Sequence, residues 1–385
     1  MSFTTYSLSW ALQLLAGFMR QNQRRIATLE LTRFCNRRCS YCEVPNLYAS
    51  QSELAISEVL QVVDWLQTSG YQVLTCLGGE PLATGLTKED IAFSEYTTRI
   101  VEHATKLGMF VNVTSNGDYV TPMLLSNLAT AGLKSVAFSL HTYTRQSLQR
   151  LIKLSLEAAC LRIIPTISLT LTSETARKIP AIAAHIAAQG ILVSVNICQD
   201  HGSEFSTARH DLVPNKEQQK YALGALLDLK LSGLVRTNRR YLSKAINYYR
   251  NNWRCNHSTD QFIHIGAGGT INVCSERRTK ISALSQPDLL GIEWRMTKRN
   301  LVESCHNCLH QCYFEAENPD LIGDVPTMLC GMSILSGHHH WVRRWADFSI
   351  PLIRQGRLDI DWQLDLEASR NIKPDMNKPN VTLFE

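Results

Sequence analysis

Three cysteines in one short segment constrain this chain more than any other feature. Residues 29–42 read LELTRFCNRRCSYC, an apolar strand followed by a loop with Cys35, Cys39 and Cys42 at C-x3-C-x2-C spacing. Three thiolates on such a loop can ligate three irons of a cubane cluster and leave the fourth iron without a protein ligand. An open position is typical of a catalytic metal site, whereas a structural site is closed. The spacing favours an iron–sulfur site over a zinc loop missing one ligand or three unrelated thiols.

The twelve cysteines of this chain indicate a reducing compartment. The 385 residues begin without the layout of a secretory signal, and they contain no apolar run of about 18 residues that would predict a membrane span. The net charge of +5 does not call for a nucleic-acid partner. We therefore expect a cytoplasmic protein whose clustered cysteines bind metal. Cys76, Cys160 and Cys198 lie singly in apolar runs and are predicted to be core residues.

Residues 1–25 predict an amphipathic helix, because Leu8, Leu12, Leu15 and Met19 recur at helical spacing. One interpretation is a helix that packs against the next domain. The alternative is an interfacial helix, followed by arginines, that holds the protein peripherally at a membrane.

Residues 26–200 alternate six times between predicted strands and helices. The strands are apolar and β-branched, as expected for a parallel sheet covered by helices. Six units are too few for a full eight-stranded barrel, so we predict an α/β fold with a partial (β/α)6 TIM-like barrel. Catalytic groups in such sheets follow the carboxyl ends of the strands. The loop with Cys35 is therefore predicted to lie on the catalytic rim.

The remainder is predicted to form a helical bridge over 201–252, a cysteine-rich domain over 253–335 and a C-terminal extension over 336–385. The second group of candidate ligands is Cys255, Cys274, Cys305, Cys308 and Cys312. Residues 266–274 read as a hairpin turn followed by a strand. A zinc knuckle uses similar spacings, so spacing alone leaves zinc and an iron–sulfur cluster open.

A second motif, Gly78-Gly79-Glu80-Pro81, ends the second predicted strand. Two glycines let the backbone approach a ligand closely, and Glu80 offers a carboxylate to an ammonium group. Since consecutive units of such a sheet lie side by side, this loop should neighbour the cysteine loop. An open iron beside an amine-binding carboxylate suits a ligand with an α-amino acid end.

The two motifs together resemble the radical S-adenosylmethionine (SAM) superfamily. The resemblance implies that Cys35, Cys39 and Cys42 bind a [4Fe-4S] cluster, whose open iron takes the methionine end of SAM. It also implies that Gly78, Gly79, Glu80 and Pro81 contact the methionine amino group. Tyr41, the aromatic residue before the third cysteine, would lie against the adenine.

Two later strand ends resemble the family more loosely. Ser115 and Ser139 would contact the SAM ribose or carboxylate by this resemblance. Ser115 stands where Thr is usual, and His141 replaces the usual acid. The alternative is that both serines cap the loops that follow them.

The second cysteine group, C-x13-G-x4-C followed by C-x2-C, resembles the twitch or SPASM extension of radical SAM enzymes. This resemblance implies one auxiliary [4Fe-4S] cluster on Cys255, Cys274, Cys305 and Cys308, because the two-cluster pattern is incomplete. Cys312 is an alternative ligand, and Cys330 is predicted to be a spare.

The resemblance implies an enzyme that receives one electron from a flavodoxin-type or ferredoxin-type donor and cleaves SAM to a 5′-deoxyadenosyl radical. That radical would take a hydrogen atom from a substrate, first of all a small molecule undergoing oxidation or rearrangement. A ribosomal peptide and a membrane lipid are alternatives. From another class, a non-catalytic iron–sulfur carrier is disfavoured, since a carrier needs no SAM site.

Overall fold

A computed structural model of the chain describes residues 26–42, 53–83, 85, 87, 89–199, 210–247, 253–305 and 308–350. The predicted helix within residues 1–25 lies outside this part of the chain, as does the C-terminal extension from residue 351 onward.

One sheet of eight strands organises the described residues, in the spatial order β6-β5-β4-β3-β2-β1-β7-β8. The strands are β1 (Ile26–Glu30), β2 (Val73–Leu77), β3 (Phe110–Ser115), β4 (Ser135–Leu140), β5 (Ile164–Leu171), β6 (Leu192–Ile197), β7 (Phe262–Ile265) and β8 (Ile271–Asn272). All neighbouring pairs are parallel except β7 and β8, which form an antiparallel hairpin. The predicted hairpin at 266–274 is thus present.

Eleven α-helices occur in the described residues, and five of them connect consecutive strands from β1 to β6. They are α1 (Ile56–Thr68), α2 (Phe93–Lys106), α3 (Pro122–Thr130), α4 (Arg145–Cys160), α5 (Ile179–Ala188), α6 (Lys216–Lys230), α7 (Arg239–Ile246), α8 (Ile292–Glu303), α9 (Gln311–Glu317), α10 (Leu321–Leu335) and α11 (His339–Ser349). Helix α3 starts with Pro122 after the cap Thr121, whose hydroxyl accepts from the backbone N–H of Leu124. The predicted partial (β/α)6 barrel with an open sheet is confirmed.

The core fills the space between the sheet and its helices. Val113, Phe138 and Ile167 are fully buried on the helix-facing side of three strands. Cys76 and Cys198 are buried as predicted, but the prediction for Cys160 is wrong: it is exposed. Cys160 is the last residue of α4, and the turn that follows leaves its side chain at the surface.

No helix in the described ranges has the length and apolar character needed to cross a membrane.

The cysteine-rich region continues the barrel sheet on the far side of β1. Strand β7 pairs with β1 in parallel register, with Thr28 opposite His264. Residues 234–236 cover the opposite edge, where Val193 and Val235 form a parallel bridge. The strand that leads into the cysteine loop is therefore an interior strand with a partner on each side. The domain boundaries given above stay predictions.

Candidate functional site

The cysteine loop follows β1 and is bonded to the end of β2 along its backbone. The backbone N–H of Gly79 donates to the carbonyl of Thr32, and that of Glu80 donates to the carbonyl of Phe34, each at 2.7 Å. A Cβ atom at Gly78 would overlap the Thr32 carbonyl, and one at Gly79 would overlap the Phe34 carbonyl. The close approach that requires these two glycines is thus the approach of the two loops to each other.

A bidentate ion pair fixes the cysteine loop to the end of β3. Arg37 donates two hydrogen bonds of 2.6 Å to the two carboxylate oxygens of Asp118. Asn36 and Arg150 donate to the same carboxylate at 2.8 and 2.7 Å. Burial would raise the pKa of Asp118, but the bonds from Arg37 hold it below its usual range. Asp118, itself bonded to Arg150, thus orders the loop in addition to the backbone bonds from Gly79 and Glu80.

The three cysteines lie on this one loop, whose backbone is held by hydrogen bonds, and such an arrangement suits the ligands of an iron–sulfur cluster. The backbone N–H of Cys42 donates to the carbonyl of Cys39, and the N–H of Arg37 donates to Sγ of Cys35 at 3.4 Å. Burial raises the pKa of Cys35 to about 11, and burial also raises that of Cys39. Because a metal binds the thiolate, ligation must displace these protons. The donors therefore fit a cluster that is bound with loss of protons.

Glu80 is buried completely at the end of β2 and is held by groups from β3. The hydroxyl of Ser115 donates to Oε1 at 2.7 Å, and the backbone N–H of Asn116 donates to Oε2 at 2.6 Å. The N–H of Leu82 donates to Oε1 as well, at 3.0 Å. Burial nevertheless raises the pKa of Glu80 to about 7. The adjacent Pro81 carbonyl accepts from Thr97 at 2.6 Å.

Ser115 occupies the position expected of a loop cap as well. Its hydroxyl accepts from the backbone N–H of Gly117 at 2.9 Å while it donates to Glu80. Both hydrogen bonds are to other residues of the protein. The SAM contact predicted for Ser115 stays a prediction.

Tyr41 contacts His141 across the mouth of the barrel. Its hydroxyl lies 2.6 Å from Nδ1 of His141, and the two ring centroids are 6.1 Å apart with 28° between the planes. Burial lowers the pKa of His141 to about 4, so the imidazole is neutral at pH 7. A neutral His141 accepts from or donates to the tyrosine hydroxyl according to its tautomer. His141, which stands where the family usually has an acid, thus positions Tyr41, the predicted adenine contact.

The face of the sheet turned away from the helices is polar. Residues in register on parallel strands share a face, and the register joins Thr75 to Asn112, Ser139 to Ser168, and Thr170 to Asn196. The Nδ2 group of Asn196 donates to the hydroxyl of Ser168 at 3.0 Å. We call this the inner face. It places Ser139, half-buried, among other hydroxyl groups below the rim.

Four of the five candidate ligands in the second group meet in one pocket. The cysteines that line it are Cys255, Cys274, Cys305 and Cys308, together with Glu276, Arg277 and His310. Cys312 lies apart, in the first turn of α9, and the charges that act on it are those of Glu315 and Arg236. Cys330 is buried in α10.

Burial raises the pKa of Cys255, Cys308 and Cys274, the last to about 12. The charge of Cys274 raises the pKa of both Cys255 and Cys308, as expected of neighbouring thiolates. Burial would lower the pKa of Arg277, but its hydrogen bond to Cys305 raises it. The pocket thus combines four thiols with one cation. In the described ranges, no three His, Cys, Asp or Glu side chains are arranged to hold a lone metal ion.

The sequence interpretation missed the residues that hold the cysteine loop. Asp118 and Arg37 form its main contact. Their signal was an acid directly after the third strand end and an arginine between the first two cysteines. Strand β2 lies between β1 and β3, but the carboxyl ends of all three parallel strands are at the same edge of the sheet, where the loops that follow them can meet.

Comparison with known proteins agrees with this geometry. Residues 29–179 match the sequence model of the Radical SAM superfamily. Streptococcus suis SuiB bound to the precursor peptide SuiA has a similar structure, with a TM-score of 0.53 and 15% identity over 73% of this chain and 67% of SuiB. The enzyme anSMEcpe with bound AdoMet and the Cp18Cys peptide gives a TM-score of 0.54 and 12% identity, over 85% and 99%. No curated protein sequence matches.

The structural likeness shows the fold, and the sequence match covers residues 29–179; enzymes of the matched superfamily use a [4Fe-4S] cluster and SAM. Residues 29–179 therefore form a radical SAM domain.

Proposed function

We propose that this enzyme cleaves SAM reductively at a cluster held by Cys35, Cys39 and Cys42, and abstracts a hydrogen atom from a small organic substrate. The observation that carries the proposal is that the cysteine loop is held by two sets of hydrogen bonds, from the backbone of Gly79 and from the carboxylate of Asp118. A fixed loop presents its three thiols in one geometry. The cluster, when bound, supplies one electron to SAM, and a low-potential flavodoxin or ferredoxin would reduce it.

Residues of the rim are proposed to hold SAM. Tyr41 would lie against the adenine, with its ring oriented by His141. Glu80 has both of its oxygens engaged by Ser115, Asn116 and Leu82. Its negative charge is therefore oriented before SAM arrives, and an ammonium group nearby would stabilise the ionised form. Gly78, Pro81 and Ser139 complete the proposed set.

An auxiliary [4Fe-4S] cluster is proposed at Cys255, Cys274, Cys305 and Cys308. Four cysteines in one pocket can ligate all four irons, which leaves no iron open to substrate. The proposed role is therefore to take up or give an electron, and not to anchor the substrate.

A peptide substrate is the second candidate. The SuiB structure contains the precursor peptide SuiA and the anSMEcpe structure contains the Cp18Cys peptide, and both proteins share this fold. The lipid alternative rests on residues 1–25, outside the described residues, and the cytoplasmic location stays a prediction.

The test uses the anaerobically reconstituted full chain with dithionite and SAM. We expect 5′-deoxyadenosine from the wild type and none from Cys39→Ala. We also expect about eight irons per chain in the wild type and about four in Cys39→Ala. A wild-type chain that releases no 5′-deoxyadenosine under these conditions would favour the non-catalytic carrier.

Cys274→Ala and Cys312→Ala form a matched pair for the auxiliary site. We expect Cys274→Ala to lose about four irons and Cys312→Ala to keep all of them, because Cys274 lines the pocket and Cys312 does not. Four irons with one zinc in the wild type would identify a zinc knuckle instead. If only Cys312→Ala lost iron, the ligands would include Cys312 and not Cys274, which would contradict the proposed ligand set.

A further inference from the structure

A buried glutamine at the end of the barrel binds the backbone beside one of the auxiliary cysteines. Gln199 follows the last residue of β6, Ile197, by two positions and is 8% exposed. Its Nε2 group donates to the carbonyl of Leu309 at 3.0 Å, and its Oε1 atom accepts from the N–H of Leu309 at 2.8 Å. Leu309 is fully buried and directly follows Cys308. The side chain thus pairs with both backbone groups of one residue, as a neighbouring strand would.

The carbonyl of Leu309 has a second donor from the helical bridge. The hydroxyl of Tyr241, a residue of α7 that is 1% exposed, donates to it at 3.3 Å. The carbonyl of residue 309 and the N–H of residue 310 belong to one planar, trans peptide unit, in which they point in opposite directions. Fixing the oxygen of Leu309 therefore fixes the direction of the His310 N–H.

That N–H group points at a sulfur atom. It donates to the thiol of Cys308, and this bond opposes the rise in the pKa of Cys308 that burial causes. The thiols of Cys274 and Cys305 also accept hydrogen bonds, but from residues 276–277 of the cysteine-rich region itself. The donor to Cys308 differs from these, because a residue at the end of the barrel sets its direction.

The contact of Gln199 joins the cysteine-rich region to the barrel at a second place. Strand β7 pairs with β1, whereas Gln199 follows β6, the strand at the other end of the sheet order. The ring of Phe262 in β7 packs against those of His310 and Tyr313, with centroids 5.5 Å apart in each case. The segment after Cys308 is therefore packed on β7 and hydrogen-bonded to the end of β6, and both contacts restrict rotation of the peptide that carries the His310 N–H.

Hydrogen bonds to the sulfurs of an iron–sulfur cluster change its reduction potential. An N–H group directed at a thiolate places the positive end of its dipole beside the sulfur. The reduced cluster carries one more negative charge than the oxidised cluster, so this dipole stabilises the reduced form more. A cluster bound to Cys308 would thus accept an electron more readily with this donor than without it.

We propose that Gln199 is a positioning residue of the auxiliary site: it holds the Leu309 carbonyl so that the His310 N–H points at the sulfur of Cys308, which raises the reduction potential of the cluster bound there. Tyr241 supports the same carbonyl. This inference rests on the auxiliary cluster of the proposed function. It concerns the potential of that cluster, and it holds for any substrate.

The test is a redox titration followed by electron paramagnetic resonance on the reconstituted full chain. The Cys39→Ala background is used, in which the remaining irons, about four, belong to the auxiliary site. Gln199→Met keeps the length of the side chain and removes both hydrogen bonds. We expect the equilibrium constant for one-electron reduction to fall about tenfold, which lowers the midpoint potential by about 59 mV. The iron content should stay at about four.

Gln219→Met is the matched control for this substitution. Gln219 is a glutamine of α6 that is 1% exposed, and it does not line the auxiliary pocket. Its replacement should leave the midpoint potential unchanged, even where it lowers the thermal midpoint. The comparison separates the loss of a buried amide from the loss of the contact with Leu309.

Tyr241→Phe keeps the test decisive if Gln199→Met does not fold or loses its iron. It removes only the 3.3 Å donor and should lower the equilibrium constant for reduction in the same direction, by about threefold. If Gln199→Met keeps its iron, an unchanged midpoint potential would overturn the proposal; otherwise an unchanged potential in Tyr241→Phe would do so. A Cys39→Ala chain without iron would overturn the auxiliary site and this inference together. Release of 5′-deoxyadenosine by the wild type tests the first site separately.

Discussion

The hydroxyl of Ser115 on β3 lies 2.7 Å from the buried carboxylate of Glu80 at the end of β2. It is the one side-chain donor among three described donors to that carboxylate, the others being backbone N–H groups of Asn116 and Leu82. The bond joins the two strand ends that flank the proposed SAM site. It also replaces one of the hydrogen bonds to water that the Glu80 carboxylate loses on burial.

Replacing Ser115 should therefore destabilise the protein in a pH-dependent way. Ser115→Ala removes a donor to Glu80 and an acceptor for Gly117, at a cost of about 1–3 kcal/mol. Burial raises the pKa of Glu80 to about 7, so Glu80 is mostly protonated at pH 6 and mostly ionised at pH 8.5. The lost donor matters more to the ionised form, so the cost should be larger at pH 8.5.

Anaerobic thermal unfolding at the two pH values measures this difference. Ser155→Ala is the matched control, because the Ser155 hydroxyl is buried without a hydrogen-bond partner in the described part of the chain. Its removal should be neutral or slightly stabilising. Equal destabilisation of Ser115→Ala at both pH values would contradict the role given to Glu80.

Adding one methyl group at Gly79 should disrupt the contact between the two loops. The Cβ of Gly79→Ala would overlap the carbonyl of Phe34, which is backbone and cannot rotate away. We expect a loss of about 3 kcal/mol or more, with reduced iron at the first site. Gly224→Ala is the control: its Cβ meets no atom within 4 Å in α6, and it should stabilise by about 0.5–1 kcal/mol. Iron content and the thermal midpoint measure both variants.

His141 should make the protein less stable as the pH falls. Burial lowers its pKa from 6.5 to about 4, so between these values the unfolded chain binds a proton that the folded chain does not. The contribution of His141 is therefore constant above pH 6.5 and is lost as the pH falls toward 4, by about 2 kcal/mol at pH 5.

His141→Gln cannot take up this proton. The difference between the thermal midpoints at pH 7 and pH 5 should be smaller for His141→Gln than for the wild type. An identical pH dependence in the two proteins would show that His141 is solvated in the folded state. The comparison uses the change with pH, because the loss of the Tyr41 contact affects both values alike.

Arg277 should raise the reduction potential of the proposed auxiliary cluster. Its guanidinium group contacts Cys305, and a cation stabilises the more negative, reduced form. Arg277→Gln should lower the midpoint potential by about 60 mV, which corresponds to about 1.4 kcal/mol for one electron. A redox titration followed by electron paramagnetic resonance, in the Cys39→Ala background, isolates this cluster. An unchanged midpoint would place Arg277 outside its electrostatic environment.

Local spacing predicted the cysteine loop and the six β/α units, because both depend on residues that are near in sequence. The same spacing could not choose between Cys308 and Cys312, which follow one another by four residues. Helix α9 begins at Gln311 and carries Cys312 toward Glu315 and Arg236, away from the pocket. The start of that helix, at the cap His310, decides that Cys308 lines the pocket and Cys312 does not.

Contacts between strands that are distant in sequence could not be predicted from the sequence. Neither the pairing of Thr28 with His264 nor the approach of Arg278 to Glu30 has a local signal, since each joins residues more than 230 positions apart. A parallel strand that follows so long an interval can pair with either edge of a sheet, and periodicity does not say which. These contacts could therefore be seen only after the strands were placed.

The pairing of β1 with β7 has a consequence for how the protein is made. Ile26–Glu30 leaves the ribosome before its outer neighbour Phe262–Ile265, which is synthesised about 236 residues later. At about 5–20 residues per second, that interval lasts roughly 12 to 50 seconds. During this time the nascent strand has one unpaired, template-like edge. A chaperone that shields this edge during translation would raise the yield of full-length protein, and a chain terminated before residue 262 would aggregate through it.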